Sequence, residues 1–175
     1  MPDATSGKFS LSELNTLSVA DFVKVVGPIF EHSPWIAASA AHRRPFADWA
    51  ALLETMRGIV AVSRPGQQLA LIEAHPDLAG RLAQLGELTA ESTREQKAAG
   101  LTNVDAVTLR KLQSLNEAYK TRFGFPFIIC ARLNNVTSIL AAMETRLAQP
   151  RHEEISTSLQ EIGKIAELRL RDLVK

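Results

Sequence analysis

Apolar residues return three and four positions apart in one stretch of this chain after another, and that period commits the backbone to helices. After Ser18 they are Phe22, Val25, Val26 and Ile29. Trp49, Leu52, Leu53, Met56, Ile59 and Val60 mark a long amphipathic helix over 46–62, and Ile155, Leu159, Ile162, Ile165, Ala166 and Leu170 mark the last helix over 153–173. The stops and starts agree with the period. Ser10 and Glu13 have the spacing of a capping box for a short first helix. Ser33-Pro34 opens a helix that runs to Ala41, and Arg43-Arg44-Pro45 breaks it. Arg64-Pro65-Gly66 is a turn before a short helix over 67–74.

Further helices are predicted from Ser92, over 103–123 and over 136–147. The middle one has Val107, Leu109, Leu112, Leu115 and Tyr119 on its buried side and ends at Gly124. Residues 80–88 fit no element. Phe125 to Cys130 has the composition of a strand but no partner strand, which predicts an extended or tightly turned buried segment. Residues 1–9 read as a loose tail. The expectation is a single compact all-α domain over residues 10–175, with about seven to nine helices.

The 175 residues suffice for one domain with a real core. A formal net charge of +1 gives no support for general nucleic-acid binding. The single cysteine, Cys130, excludes an intramolecular disulfide and fits a reducing compartment. The polar N-terminus has no basic-then-apolar signal pattern, no run approaches the length of a membrane helix, and the last residues are not a peroxisomal tail. These features predict a soluble, cytoplasmic protein. The four histidines are scattered, and no zinc spacing, phosphate loop or nucleophile elbow occurs, so neither a metal nor a nucleotide cofactor is indicated.

The chemistry-bearing stretch is Leu71-Ile72-Glu73-Ala74-His75-Pro76-Asp77-Leu78. Pro76 cannot continue a helix and restricts the residue before it, so His75 is held at a helix end by a stiff backbone. A histidine so placed suits proton transfer near neutral pH, although before proline it is more often an ordinary helix-end residue. His-Pro-Asp is also the signature of the J-domain co-chaperones. That protein-binding alternative wants a basic preceding helix, and 67–74 contains no Lys or Arg.

Ser92-Thr93-Arg94-Glu95-Gln96 is a capping box by pattern. Its functional reading has Glu95 and Gln96 facing a polar ligand together with His75. Arg132 follows an apolar run and suits a carboxylate, either a ligand's or the protein's own. Cys130 has no basic neighbour in sequence and reads as a small core residue.

Six motifs in order carry a resemblance. They are Phe30-Glu31-His32-Ser33-Pro34-Trp35-Ile36; Arg44-Pro45-Phe46; Ala74-His75-Pro76-Asp77-Leu78-Ala79-Gly80; Ser92 to Gln96 with Ala99-Gly100-Leu101; Phe123-Gly124-Phe125-Pro126-Phe127 through Arg132; and Glu161-Ile162 with Lys164-Ile165 and Leu168-Arg169-Leu170. Together they closely resemble the 2-oxo-4-hydroxy-4-carboxy-5-ureidoimidazoline (OHCU) decarboxylases of urate degradation. The resemblance implies an all-helical, cofactor-free homodimer that converts OHCU to S-allantoin and carbon dioxide. It places the proton donor at His75 beside Pro76. It places substrate-binding positions at Ser92, Thr93, Arg94, Glu95 and Gln96, and a third stretch of largely backbone contacts at Phe127, Ile128, Ile129, Cys130 and Ala131, next to Arg132. His75, Glu95 and Arg132 are the residues expected to act in catalysis.

Overall fold

The computed structural model describes residues 8–78 and 104–175. Among them are eight α-helices: α1 Leu11–Thr16, α2 Val19–Val26, α3 Pro34–Ala41, α4 Trp49–Ala61, α5 Pro65–Glu73, α6 Ala106–Phe123, α7 Val136–Arg146 and α8 Arg151–Leu173. Short 3-10 turns cover Gly27–Ile29 and Ala131–Leu133. No strand occurs among the described residues, as the all-α expectation requires. The chain divides into two compact units, Met1–Leu71 with Gly163–Lys175, and Ile72–Ile162.

In the first unit α2 packs on α3 and α3 on α4. Leu14, Phe22, Val26, Ile36, Ala40, Leu52 and Met56 form its core and are fully buried. The predicted box on α1 is present: the Ser10 side chain accepts from the Glu13 N–H, and the Glu13 carboxylate accepts from the Ser10 N–H. Helix α4 starts at Trp49 instead of Phe46 for two reasons. The Asp48 side chain accepts from the Ala51 N–H at 2.7 Å and fixes the N-cap there. Phe46 is tied to the Asn15 amide in both directions, N–H to Oδ1 and carbonyl to Nδ2, each at 2.9 Å, which holds its backbone out of a helix. The loose tail was expected to reach residue 9. Residues 1–7 lie outside the described residues, but Phe9 is held, its N–H donating to the Leu173 carbonyl at 2.8 Å and its carbonyl accepting from Lys175 at 2.9 Å.

Two motifs from the ends of the sequence meet in this unit. Arg169 and Glu31, both buried, form an ion pair at 2.9 Å. Arg169 also donates to the carbonyls of Pro28 and Ile29.

In the second unit α6 packs on α7. Helix α6 is described from Ala106, where Asp105 caps it by accepting from the N–H groups of Val107 and Thr108; position 103 lies outside the described residues. Its buried stripe is Leu112, Asn116, Tyr119 and Phe123. Val107, expected on that stripe, is 68% exposed. It sits five residues before Leu112, which at about 100° per residue turns it well away from the buried face. Gly124 ends the helix at φ 79, a left-handed conformation that a side chain would oppose. The apolar run that follows forms no strand. The Tyr119 ring meets Phe123, Phe125 and Phe127, with centroids 4.6, 5.9 and 5.2 Å away. The last helix begins at Arg151, two residues before its expected start, with the Glu154 N–H on the Pro150 carbonyl at 3.0 Å.

Candidate active site

The sequence motifs at His75 and at 127–132 both fall in the unit Ile72–Ile162. Helix α5 ends at Glu73, and the His75 N–H closes a final turn on the Ile72 carbonyl at 3.2 Å before Pro76 stops the helix. His75 is 6% exposed. Asp77 then anchors the turn to α6: its carboxylate accepts from Asn116 Nδ2 at 2.7 Å and lies 3.4 Å from the Lys120 ammonium. The turn that carries His75 is therefore tied to a helix by a hydrogen bond to a charged group. Asn116 is itself buried, and its Oδ1 has no partner among the described residues.

The second element is the segment after Gly124. Phe127, Ile128, Ile129, Cys130 and Ala131 are all buried, and Arg132 is exposed in the following 3-10 turn. Polar side chains grip the backbone of this segment at defined points. Arg146 Nη1 donates to the Ile128 carbonyl at 2.7 Å, with its guanidinium 4.3 Å over the Phe127 ring. Glu161 accepts from the Cys130 N–H at 2.8 Å. Asn134 Nδ2 donates to the Cys130 carbonyl at 3.0 Å. Arg151 Nε donates to the Phe123 carbonyl at 3.1 Å, at the root of the segment.

Behind that grip lies a buried charge network. Arg146 donates from Nε, at 2.8 Å, and from Nη2 to Glu154 Oε1, and the Tyr119 hydroxyl donates to the same oxygen. Glu154 is fully buried, and its Oε2 has no partner among the described residues. Burial, then the hydrogen bond to Glu154 and its negative charge, push the Tyr119 phenol well above its ordinary pKa.

Part of the backbone of Phe127–Ala131, the stretch expected to contact the substrate, is already engaged. The Ile128 carbonyl is taken by Arg146 and the Ala131 carbonyl by the Asn134 N–H. The N–H groups of Ile128 and Ala131, and both backbone groups of Ile129, have no hydrogen-bond partner among the described residues. Buried backbone groups are seldom left so. The stretch Ser92, Thr93, Arg94, Glu95 and Gln96 lies outside the described residues. Among the described residues no group of three or more His, Cys, Asp or Glu is placed to hold a metal ion, and no helix is long and apolar enough to cross a membrane.

Sequence reasoning missed Arg146, Glu154 and Glu161 as supports of the segment. The signal was present. Arg146 continues the buried spacing of Ile139 and Met143, and Glu154, Ser158 and Glu161 repeat at helical spacing on α8 and are buried. Charged residues in an otherwise apolar stripe need a specific buried partner.

The family model for OHCU decarboxylase matches residues 15–171. The chain belongs to the OHCU decarboxylase family. It is 39% identical over 165 residues to the 2-oxo-4-hydroxy-4-carboxy-5-ureidoimidazoline decarboxylase of Amia calva, an alignment that takes in 94% of each chain. Its fold is similar to the crystal structure of (S)-allantoin synthase, with a TM-score of 0.78 and 26% identity over 95% of this chain; it spans 54% of that longer chain. It is also similar to OHCU decarboxylase crystallised in the presence of (S)-allantoin, with a TM-score of 0.68 and 27% identity over 83% of this chain and 94% of the other. In this family member His75 is buried on the turn after α5, and Phe127–Ala131 is a buried segment held by Arg146 and Glu161.

Proposed function

We propose that this protein is a carboxy-lyase that converts OHCU to S-allantoin and carbon dioxide. The reading rests on the family match through residues 15–171, which crosses both units and supports treating residues 10–175 as one domain. The placement of His75, buried at a helix end and followed by an anchored Asp77, fits the role of proton donor.

The reaction can run without a cofactor because the substrate carries its own electron sink. The bond from the ring carbon to the carboxylate breaks, and its electron pair forms a ring double bond as the adjacent C=N nitrogen takes up charge. The resulting enol collapses to a carbonyl as one proton reaches the ureido-bearing carbon and the hydroxyl proton passes to the charged ring nitrogen. A chiral product requires that proton to arrive on one face. The enzyme must hold the carboxylate out of the ring plane, stabilise the developing charge and deliver the proton. His75 stabilises charge and transfers the proton. Glu95 and Gln96 bind the ureido and hydroxyl groups, with Ser92, Thr93 and Arg94 completing that wall, and Glu95 orients His75. The Phe127–Ala131 backbone fixes the ring amides, and Arg132 anchors the carboxylate. The protein acts in the cytoplasm as a homodimer.

The test is coupled turnover. OHCU is generated in place from urate with urate oxidase and hydroxyisourate hydrolase, and the circular dichroism of the product is followed. The protein is expected to bring S-allantoin signal rapidly, and His75→Ala to slow it by on the order of 10²-fold or more. Only the slow racemic background with the wild-type protein refutes the decarboxylase reading; a fully active His75→Ala refutes the proton-donor assignment.

A further inference from the structure

The two peptide units that meet at Ile129 are each held from the far side by a buried charged side chain. Arg146 Nη1 donates to the Ile128 carbonyl at 2.7 Å, and that carbonyl shares its peptide unit with the Ile129 N–H. Glu161 Oε2 accepts from the Cys130 N–H at 2.8 Å, and that N–H shares its peptide unit with the Ile129 carbonyl. Amide resonance links the two ends of a peptide unit. A cation on the carbonyl oxygen strengthens the N–H as a donor, and an anion on the N–H strengthens the carbonyl as an acceptor. Both effects converge on Ile129, whose own N–H and carbonyl have no partner among the described residues although the residue is 7% exposed.

We propose that Arg146 and Glu161 are positioning residues that turn the backbone of Ile129 into a polarised donor–acceptor pair for the –CO–NH– edge of the substrate's cyclic urea or ureido group. The assignment of the edge to OHCU rests on the decarboxylase reading; the polarised pair itself does not. The charges explain why these positions are not simply apolar. A buried ion of either sign carries a desolvation cost that a hydrophobic side chain avoids, and both Arg146 and Glu161 are buried. A peptide edge that matches –CO–NH– also discriminates by hydrogen bonding, since an analogue lacking either group leaves one polarised backbone group buried and unmet.

Glu161 is the better residue to change, because Arg146 also neutralises Glu154. Glu161→Ala removes the acceptor, and Glu161→Gln keeps an acceptor oxygen without the charge. In coupled turnover Glu161→Ala is expected to raise KM about tenfold with kcat changed less than about threefold, the signature of lost uniform binding, and Glu161→Gln to fall between it and the wild type. A second readout is independent of turnover: hydantoin, a cyclic urea, is titrated into labelled protein. It is expected to move the Ile129 amide resonance in the wild type and to move it far less in Glu161→Ala. An unchanged KM in a Glu161→Ala protein with intact far-UV dichroism overturns the proposal, as does a wild-type Ile129 amide that hydantoin leaves in place. Should Glu161→Ala not fold, a Glu161→Gln protein with wild-type KM and wild-type hydantoin response overturns it equally. A wild type that meets hydantoin at Ile129 yet does not decarboxylate OHCU refutes the decarboxylase reading and leaves this one standing.

Discussion

Replacing Arg146 with methionine, an unbranched apolar side chain that fills the space of the arginine stem, tests the charge network beneath the segment. The substitution removes both donors to Glu154 Oε1, the donor to the Ile128 carbonyl and the cation above the Phe127 ring. The largest consequence is a carboxylate left 0% exposed with the Tyr119 hydroxyl as its remaining donor among the described residues. Removing one partner of a buried pair costs about 3–5 kcal/mol. Against a total stability of about 5–15 kcal/mol that is a large fraction, yet the variant should still fold. Glu154→Leu alone leaves the guanidinium buried and costs a similar amount. The double variant Arg146→Met/Glu154→Leu removes both charges and leaves chiefly the Tyr119 hydroxyl without its acceptor, a cost of about 1–3 kcal/mol. The cycle should therefore give a coupling of at least about 3 kcal/mol, large even for residues in direct contact. Urea titration followed by far-UV dichroism measures all four proteins. A single Arg146→Met cost below about 1 kcal/mol, or a double variant as unstable as the sum of the singles, would falsify the view that these charges hold one another.

Tyr119 is the only tyrosine in the sequence, so its ionisation can be read directly from tyrosinate absorbance. Its folded pKa lies above the unfolded value of about 10, so its contribution to stability is complete below pH 10 and declines as pH rises above it. The folded protein should show less tyrosinate absorbance at pH 11 than the same protein unfolded in urea, and Tyr119→Phe should flatten the alkaline fall in stability; a normal titration near pH 10 in folded protein contradicts the burial argument. At Gly124 a Cβ meets nothing within 4 Å, so Gly124→Ala tests backbone conformation alone and should cost about 1–2 kcal/mol in urea unfolding. Arg132→Lys keeps the charge but loses the planar fork, and an unchanged KM for OHCU would show that Arg132 does not anchor the carboxylate.

Helix existence was legible because it depends on period and punctuation, which are local. Ser10, Ser18 and Gly124 each mark an end that the structure uses. Where the reading failed, a distant partner decided the matter. Nothing near Phe46 reveals that Asn15 holds its backbone, so the helix was expected to begin there. Val107 is apolar and close to the right spacing, but the stripe is fixed by Asn116 as much as by its leucines. The buried run at 125–130 was legible as a segment without a strand partner. Its supports were not, because an arginine in Ala142-Met143-Glu144-Thr145-Arg146 looks like an ordinary basic residue near a helix C-terminus, where it also suits the helix dipole.

The same supports bear on why charged residues occupy this core at all. Apolar replacements for a buried ion pair are often neutral or stabilising, so Arg146 and Glu154 are not explained by stability alone. A hydrophobic residue at 146 could fill the space beneath Phe127, but it could neither hold the Ile128 carbonyl at 2.7 Å nor polarise the peptide that follows. The double variant separates these two roles. If it regains most of its stability while its KM for OHCU remains raised, the charges serve the backbone of the Phe127–Ala131 segment. If affinity returns together with stability, packing beneath Phe127 is sufficient, and the part assigned to Arg146 in shaping Ile129 is wrong.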